Sequence, residues 1–291
     1  MTGSKTKIFG VLGHPIGHSL SPVMHKAFFK EKKINADYFA FDVDEKNLGD
    51  AIHGADALKF CGLNVTIPHK ISVIKYMDEI SEEARLINAV NTIKFDYVKD
   101  LIIGYNTDGI GAINAIEKNL NDGLKGKKIF ILGAGGAARA IIFSALSNNA
   151  EISIYNRTVE KAILIGNDVK EKLNKYLKVV HLKNLKDELK DNDIIINATS
   201  VGMFPNADEC PINEYCIPKG KVVMDIVYNP IETKFLESAK KRNCMTINGV
   251  DMLVEQGAEA LKIWLNMEPE EYLINIMKKS IIKKLKNKPK N

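Results

Sequence analysis

The chain of 291 residues is long enough for two domains, and its 45% hydrophobic and 26% charged residues are typical of a globular protein. The net charge of +5 arises at the end, because residues 278–291 hold seven lysines and no acid, and the rest of the chain has 34 basic against 36 acidic side chains. A near-neutral body and a tail without aromatic residues exclude nucleic-acid binding, and we expect this lysine-rich end to be a frayed, solubilising terminus.

No apolar run approaches the roughly 18 residues that a membrane helix needs, which excludes a membrane-spanning protein. The first strand-like run begins at Lys7 with no signal-peptide pattern before it, which indicates a cytoplasmic location. The four cysteines, at 61, 210, 216 and 244, lack the spacing of a metal site, so we expect free thiols and no bound metal.

Strand-like and helix-like segments alternate in the first part of the chain. Strands are predicted near 7–13, 37–43, 61–66, 90–95 and 101–105, with a helix from Pro22 to about Lys33. A helix over 108–120 joins this part to a second one. Such alternation is typical of βαβ units, and it predicts α/β architecture with parallel sheets.

Two serines precede the first predicted helix, in His18-Ser19-Leu20-Ser21-Pro22. In an extended segment, side chains two residues apart point the same way, so Ser19 and Ser21 would present two hydroxyls together. Pro22 suits the first helical position, and the positive end of the helix would attract a carboxylate to these hydroxyls. The alternative is that Ser21 only caps the helix.

The segment Asn64-Val-Thr-Ile-Pro-His-Lys70 ends the third predicted strand. Alternation places Asn64 and Thr66 on one face, and Lys70 falls in the first turn of a helix expected after Pro68. An ammonium group held there could take part in proton transfer. The alternative is an ordinary lysine whose amine reaches solvent.

Three further polar residues come from separate segments. Asn91 enters an apolar strand, Asp108 begins the joining helix, and Gln256 lies near the apolar stripe of a helix predicted over 250–265. Asp108 is either the N-cap of its helix or a carboxylate in a cleft between the domains, and the Gln256 amide needs a structural partner or a substrate hydroxyl. A last helix is predicted after Pro269, and these two helices could return to the first domain.

From residue 127 the alternation is regular, with strands near 127–132, 151–155, 178–181, 193–197 and 222–226. Gly133, Gly135 and Ala138 form G-x-G-x-x-A between the first of these strands and a helix. The first glycine allows a tight turn, the second lets a pyrophosphate approach the backbone, and the third small residue lets helix and strand pack closely. The pattern predicts a doubly wound, Rossmann-type dinucleotide domain; a tight turn without a ligand is the alternative.

The next strand ends in Asn156-Arg157-Thr158. An NAD site usually has Asp or Glu at this strand end, to bind the ribose 2′-hydroxyl. Here Arg157 stands in its place, and a guanidinium suits a 2′-phosphate through charge-assisted hydrogen bonds. We therefore predict NADP as the cofactor; the alternative is an ordinary solvated arginine.

Taken in order, these motifs resemble the shikimate dehydrogenase family from Gly10 to about Leu265. The matching segments are Ser19-Leu-Ser21, Asn64-Val-Thr66-Ile-Pro-His-Lys70, Asn88-Ala-Val-Asn91-Thr92, Asn106-Thr107-Asp108-Gly109, Gly133-Ala-Gly-Gly136, Asn156-Arg157-Thr158, Asn197-Ala-Thr-Ser-Val-Gly-Met203, Asp225-Ile-Val-Tyr228-Asn-Pro230 and Asn248-Gly249 through Gln256. The resemblance implies an N-terminal α/β substrate domain over residues 1–107, joined by the C-terminal helices of 250–291, and a Rossmann-type NADP domain over 108–249.

The resemblance also implies the reversible reduction of 3-dehydroshikimate to shikimate by NADPH, in the pathway to aromatic amino acids, with Lys70 and Asp108 flanking the reacting oxygen. The implied substrate-binding residues are Ser19, Ser21, Asn64, Thr66, Lys70, Asn91, Thr107, Asp108, Tyr228 and Gln256. The implied cofactor-binding residues are Gly133, Ala134, Gly135, Gly136, Ala137, Asn156, Arg157, Thr158, Thr199, Met203, Ile226 and Gly249. Whether Lys70 donates the proton or mainly binds substrate stays open.

Two other functions are open. A quinate or dual quinate/shikimate dehydrogenase that uses NAD is the alternative within the enzyme class; Arg157 disfavours NAD, and the two serines favour shikimate. A non-catalytic NADP-binding regulator on the same fold is the alternative of another class, and it would need neither Lys70 nor Asp108. The sequence does not determine the oligomeric state, and a homodimer is one option.

Overall fold

The computed structural model describes residues 5–120 and 122–287. The chain divides into two compact units, residues 1–107 with 256–291 and residues 108–255. Strands and helices alternate in both units, which confirms the predicted α/β class. Within the described residues, no helix is long and apolar enough to cross a membrane.

The first unit contains one six-stranded sheet in the order β2-β1-β3-β5-β6-β4. Its strands are β1 (Lys7–Gly13), β2 (Ala36–Asp42), β3 (Gly62–Val65), β4 (Glu79–Ile80), β5 (Thr92–Asp96) and β6 (Leu101–Tyr105). β1 is parallel to β2 and β3, whereas β5 is antiparallel to β3 and β6. β4 is parallel to β6, so the prediction of a parallel sheet is wrong for β5 alone. Residues 97–100 between β5 and β6 are too few for the crossover that parallel neighbours need.

The helices of the first unit are α1 (Ser21–Glu31), α2 (Leu48–Ala57), α3 (Glu82–Ile87), the part of α9 (Gly249–Leu265) from residue 256 onward, and α10 (Glu271–Lys286). α10 packs against α1, and Leu273, Met277 and Ile281 are buried at four-residue spacing along it. This corrects the prediction of a frayed, lysine-rich end: an apolar stripe holds the helix in place as far as Lys286, and its lysines lie on the other faces. Residues 288–291 lie outside the described part of the chain.

The second unit contains a six-stranded sheet in the order β12-β11-β10-β7-β8-β9, in which every neighbouring pair is parallel. Its strands are β7 (Lys128–Leu132), β8 (Glu151–Tyr155), β9 (Leu177–Val179), β10 (Ile194–Asn197), β11 (Val222–Asp225) and β12 (Met245–Ile247). Its helices are α4 (Asp108–Glu117), α5 (Gly136–Ser147), α6 (Val159–Leu173), α7 (Leu185–Asp191), α8 (Lys234–Lys241) and the start of α9. The strand order reverses between β7 and β10, which is the doubly wound arrangement.

Two of the strands, β4 and β12, were not predicted. They are two and three residues long, too short to show a hydrophobic period in the sequence. All six strands of the second unit end at one edge of their sheet, so the loops after β7, β8, β10 and β11 share that edge. In doubly wound sheets this carboxyl edge is where ligands bind.

Candidate active site

The turn after β7 is closed tightly against the loop after β10. Gly133 has φ +110°, a conformation that side chains rarely adopt. A Cβ built on Gly133 would lie 2.8 Å from Thr199 Cγ2 and 3.0 Å from the Ala198 carbonyl oxygen. Any residue with a side chain would therefore push these two loops apart.

The start of α5 is open where the turn faces outward. Gly135 is the N-cap and Gly136 the first helical residue, and a Cβ built on either would meet nothing within 4 Å. Ala138, one turn further, is fully buried against the sheet, with the partly exposed Ala134 and Ala137 before it. The backbone at the start of α5 is thus open to close approach, and these residues fit the diphosphate of a dinucleotide.

The loop after β8 fits a second phosphate. Arg157 and Thr158 are exposed, and the Asn156 amide donates to the Thr158 carbonyl at 2.7 Å. α6 begins next, and the side chain of its N-cap Thr158 makes no capping hydrogen bond. A guanidinium beside a helix N-terminus suits a 2′-phosphate.

The loops after β10 and β11 present the remaining implied cofactor residues. Met203 is 46% exposed, and Thr199, Ile226 and Tyr228 are half-buried. Burial raises the pKa of Tyr228. Gly249 approaches the backbone after β11 so closely that a Cβ there would lie 2.5 Å from the Val227 carbonyl carbon.

A chain of hydrogen bonds runs through the buried polar residues of the first unit. The Tyr38 hydroxyl donates to Asn64 Oδ1 at 2.7 Å, and Asn64 Nδ2 donates to Thr92 Oγ1 at 3.0 Å. Asn64 and Thr92 are direct partners in the register of β3 and β5. Tyr38 and Thr92 are fully buried and Asn64 is nearly so, so strand pairing fixes each of these groups.

The same chain continues beyond β5. Thr92 Oγ1 donates to Asn91 Oδ1 at 2.9 Å, and Asn91 Nδ2 donates to Thr107 Oγ1 at 3.0 Å. Thr107 Oγ1 donates in turn to Gln256 Oε1 on α9 at 3.5 Å. The structure therefore brings together Asn64, Asn91, Thr107 and Gln256, four of the ten implied substrate-binding residues.

The two serines lie at the Tyr38 end of this chain of hydrogen bonds, in a geometry that differs from the predicted one. Leu20, with φ −96° and ψ −3°, is the N-cap of α1, so the segment is not extended and Ser21 is not the cap. Ser21 N donates to Ser19 Oγ at 3.3 Å, and Ser21 hydrogen-bonds Tyr38. The start of the helix, and not an extended strand, therefore brings Ser19 and Ser21 into contact.

The segment containing Lys70 differs from its prediction as well. No helix begins at Pro68; residues 67–71 form a turn, and a 3₁₀ helix follows over Ser72–Tyr76. The backbone carbonyl of Lys70 accepts from Val90 N at 2.8 Å, which ties this turn to the segment before Asn91. The half-buried Thr66 also lies in this segment, and its backbone N donates to the Leu12 carbonyl at 2.9 Å.

Tyr38 and His25 lie outside the motifs that point to the site in the sequence. Burial raises the pKa of Tyr38, and His25 stacks on the Tyr38 ring with centroids 4.4 Å apart. His25 is fully buried, burial lowers its pKa to about 3, and neither ring nitrogen has a hydrogen-bond partner within the described residues. The sequence signal for Tyr38 is its hydroxyl, carried by a residue among the apolar positions of β2.

The other implied residues belong to the second unit. Asp108, which is 9% exposed, is the first residue of α4, and Tyr228 follows β11. Within the described residues, no group of three or more histidine, cysteine or acidic side chains could hold a metal ion.

Three family models match the chain in succession. They describe a shikimate dehydrogenase substrate-binding domain over residues 11–93, shikimate / quinate 5-dehydrogenase over 115–226, and a shikimate 5′-dehydrogenase C-terminal domain over 249–280. A shikimate dehydrogenase (NADP⁺) of Methanocaldococcus jannaschii is 51% identical over 98% of this chain and 99% of its own length.

Two further comparisons give the same family name. A shikimate dehydrogenase (NADP⁺) of Methanococcus aeolicus is 49% identical over 97% of this chain and 99% of its own. A crystal structure of a shikimate dehydrogenase in complex with NADP⁺ superimposes with a TM-score of 0.90, at 49% identity and 98% coverage of both chains. These similarities span both units of the fold.

Proposed function

The chain belongs to the shikimate dehydrogenase family, and on that premise we propose that it catalyses the reversible reduction of 3-dehydroshikimate to shikimate with NADPH. The observation that carries this function is the buried chain of hydrogen bonds from Ser21 to Gln256. Buried polar groups are costly unless they are paired, and a polyhydroxylated ring that carries a carboxylate is a ligand with matching chemistry.

We propose that Ser19 and Ser21 bind the substrate carboxylate. Ser19 Oγ accepts from the Ser21 backbone, which turns the hydroxyl hydrogen of Ser19 away from the helix. No acidic side chain lies in the first turn of α1, so its N-terminus attracts an anion unopposed. The Ser19 hydroxyl can donate to a carboxylate oxygen, which accepts strong charge-assisted hydrogen bonds. The Ser21 hydroxyl would donate to the second oxygen by turning its hydrogen from Tyr38 to the substrate.

The ring hydroxyls are proposed to contact the amides and hydroxyls of the same hydrogen-bond chain, together with Thr66 and Tyr228, which lie outside it. A site built to hydrogen-bond hydroxyl groups rejects a ligand that lacks them, because its own polar groups would be left unpaired. The proposed set is Asn64, Thr66, Asn91, Thr107, Gln256 and, from the second unit, Tyr228.

Lys70 and Asp108 are the proposed catalytic residues. NADPH would supply a hydride to the carbonyl carbon of 3-dehydroshikimate, and the carbonyl oxygen would carry negative charge until it gains a proton. The ammonium group of Lys70 would stabilise that charge and donate the proton, and the carboxylate of Asp108 would orient the hydroxyl that forms. In the oxidation direction the same groups would take the proton back.

The proposed cofactor residues divide by the part of NADP that they hold. The turn Gly133–Ala137 suits the diphosphate, and Asn156–Thr158 the 2′-phosphate, since both lie at helix N-termini. The other proposed cofactor residues would contact the nicotinamide end of NADP. They are Thr199, Met203, Ile226 and Gly249.

The test is an absorbance assay at the NADPH band that crosses shikimate and quinate with NADP⁺ and NAD⁺. We expect the highest kcat/KM for shikimate with NADP⁺. A higher value for quinate with NAD⁺ would replace the proposal with the alternative that the shikimate / quinate family model includes. No turnover in any of the four combinations, with NADP⁺ still bound, would favour a non-catalytic NADP-binding regulator.

A further inference from the structure

A buried amide and a buried carboxylate meet at the carboxyl edge of the second sheet. Asn197 ends β10, Asp225 ends β11, and the two residues are direct partners in the strand register. Neither residue has any exposed surface. Asn197 Nδ2 donates to Asp225 Oδ1 at 3.0 Å.

The Asn197 side chain holds the loop that follows β10. Its Oδ1 accepts from Thr199 N at 3.1 Å and from Thr199 Oγ1 at 2.7 Å, and its Nδ2 also donates to the Val201 carbonyl at 3.2 Å. The Thr199 hydroxyl accepts from Val201 N at 3.1 Å. One amide thus fixes the course of the loop that leads to Met203.

The Asp225 side chain holds the loop that follows β11. Its Oδ1 accepts from Val227 N at 3.0 Å, and its Oδ2 accepts from Thr233 Oγ1 at 2.6 Å, while Thr233 also caps α8. Gly249 N donates to the Val227 carbonyl at 3.3 Å from the opposite side. The segment with Ile226 and Tyr228 is therefore held from both sides.

A carboxylate suits this position despite the cost of burial. Burial raises the pKa of Asp225 to about 6, against the three hydrogen bonds that favour the charged form. Those bonds come from the β10 end, the β11 loop and the α8 cap, and a carboxylate is the one small side chain whose two oxygens can both accept. The group joins three segments that are separate in sequence.

We propose that Asp225 and Asn197 are positioning residues for the nicotinamide end of NADP, acting through Thr199 and Met203 on one loop and through Ile226 and Tyr228 on the other. This inference rests on the proposed function, because it assumes that the cofactor lies over this edge of the sheet. The diphosphate and 2′-phosphate sites lie on other loops, so the pair should affect hydride transfer more than cofactor affinity.

The test compares Asp225→Ala and Asn197→Ala with a matched control, Asn192→Ala. Asn192 is 3% exposed and lies just before β10, at the amino edge of the same sheet, where its amide donates to the Glu188 carbonyl at 2.8 Å. All three changes remove a buried polar side chain and should lower the melting temperature. Asp225→Ala and Asn197→Ala should differ from Asn192→Ala in hydrogen exchange within the two loops and in turnover.

Two measurements report on that difference. In the NADP-free protein, amide hydrogen exchange in residues 198–203 and 226–228 should be at least about tenfold faster in Asp225→Ala and Asn197→Ala but not in Asn192→Ala. With shikimate and NADP⁺, kcat should fall about 10- to 100-fold in the first two variants, the cost of misplacing a reacting group by about 1 Å. The NADP⁺ dissociation constant, measured by calorimetry, should change less than about threefold.

Asp225→Asn is the conservative variant. It keeps one oxygen for Val227 N and Asn197, and the Thr233 hydroxyl can turn to accept, so exchange and kcat should recover most of their wild-type values. Unchanged exchange in the two loops, or an equal loss of kcat in Asn192→Ala, would overturn the positioning role. An inactive wild type would refute the proposed function instead, while hydrogen exchange would still decide whether the pair holds the loops.

Discussion

Arg157→Ala should separate NADP from NAD recognition without disturbing the fold. The Arg157 side chain is exposed, and the hydrogen bond described for its loop, from the Asn156 amide to the Thr158 carbonyl, does not involve it. A hydrogen bond to a charged group contributes about 1.5–3 kcal/mol. At 1.4 kcal/mol for each factor of ten, the NADP⁺ dissociation constant should rise about 10- to 150-fold.

The assay is calorimetric titration with NADP⁺ and, separately, with NAD⁺. NAD⁺ lacks the 2′-phosphate, so its affinity should change less than about threefold. The effect on NADP⁺ should shrink as salt is raised from about 0.05 to 0.5 M, because an exposed charge pair is screened.

Arg242→Ala is the matched control, because it removes the same charge from the same unit. Arg242 lies between α8 and β12, toward the amino ends of the strands, where its guanidinium donates to the Tyr215 carbonyl at 3.3 Å. It should leave both affinities unchanged. Equal losses of NADP⁺ and NAD⁺ binding in Arg157→Ala would refute the assignment of Arg157 to the 2′-phosphate.

Three further predictions concern the first unit and Asp108. Tyr38→Phe leaves a buried Asn64 oxygen without its donor and should lower the free energy of unfolding by about 1–3 kcal/mol. It should also raise KM for shikimate but not for NADP⁺, and unchanged thermal melts and kinetics would contradict this. The folded protein holds the pKa of His25 near 3, against an ordinary 6.5, so between those pH values only the unfolded chain binds a proton at this residue. Wild type should therefore lose about 2 kcal/mol of stability from pH 7 to pH 5, and His25→Leu should not. Thermal melts at both pH values measure the difference. Lys70→Ala and Asp108→Asn should each cut turnover about 10²- to 10⁴-fold with folding intact, and near-normal turnover in Lys70→Ala would leave that lysine a binding residue at most.

Local sequence was sufficient for the nucleotide half of the protein. The turn from Gly133 to Ala138 and the group Asn156–Thr158 each lie within a few consecutive residues, and the backbone period of the flanking strand and helix places them. The family, the α/β class and the NADP cofactor predicted from these motifs are confirmed by the relatives. The individual site residues stay predictions until the variants are measured.

Local sequence failed where one segment depends on another. The direction of β5 is set by the short connection to β6, and the course of Ser19–Ser21 by where α1 begins. The lysine-rich end reads as a solvated tail, yet Met277 and Ile281 bury it against α1. The β5 case depends on a connection length and the lysine-rich end on a helix that is distant in sequence, whereas the Ser19–Ser21 case depends on the exact residue at which a helix begins; the hydrophobic period shows none of these.

The residue content of the chain is enough to predict the chemistry available to this protein: which hydroxyls, amides, amine and carboxylates it has, and which turns suit a phosphate. How these groups are connected depends on the folded chain. Tyr38 reaches Asn64, and Asn197 reaches Asp225, because strand pairing places side chains from separate segments within hydrogen-bond distance. A hydrogen bond depends on distance and angle in space, and spacing along the chain fixes neither for residues on different strands.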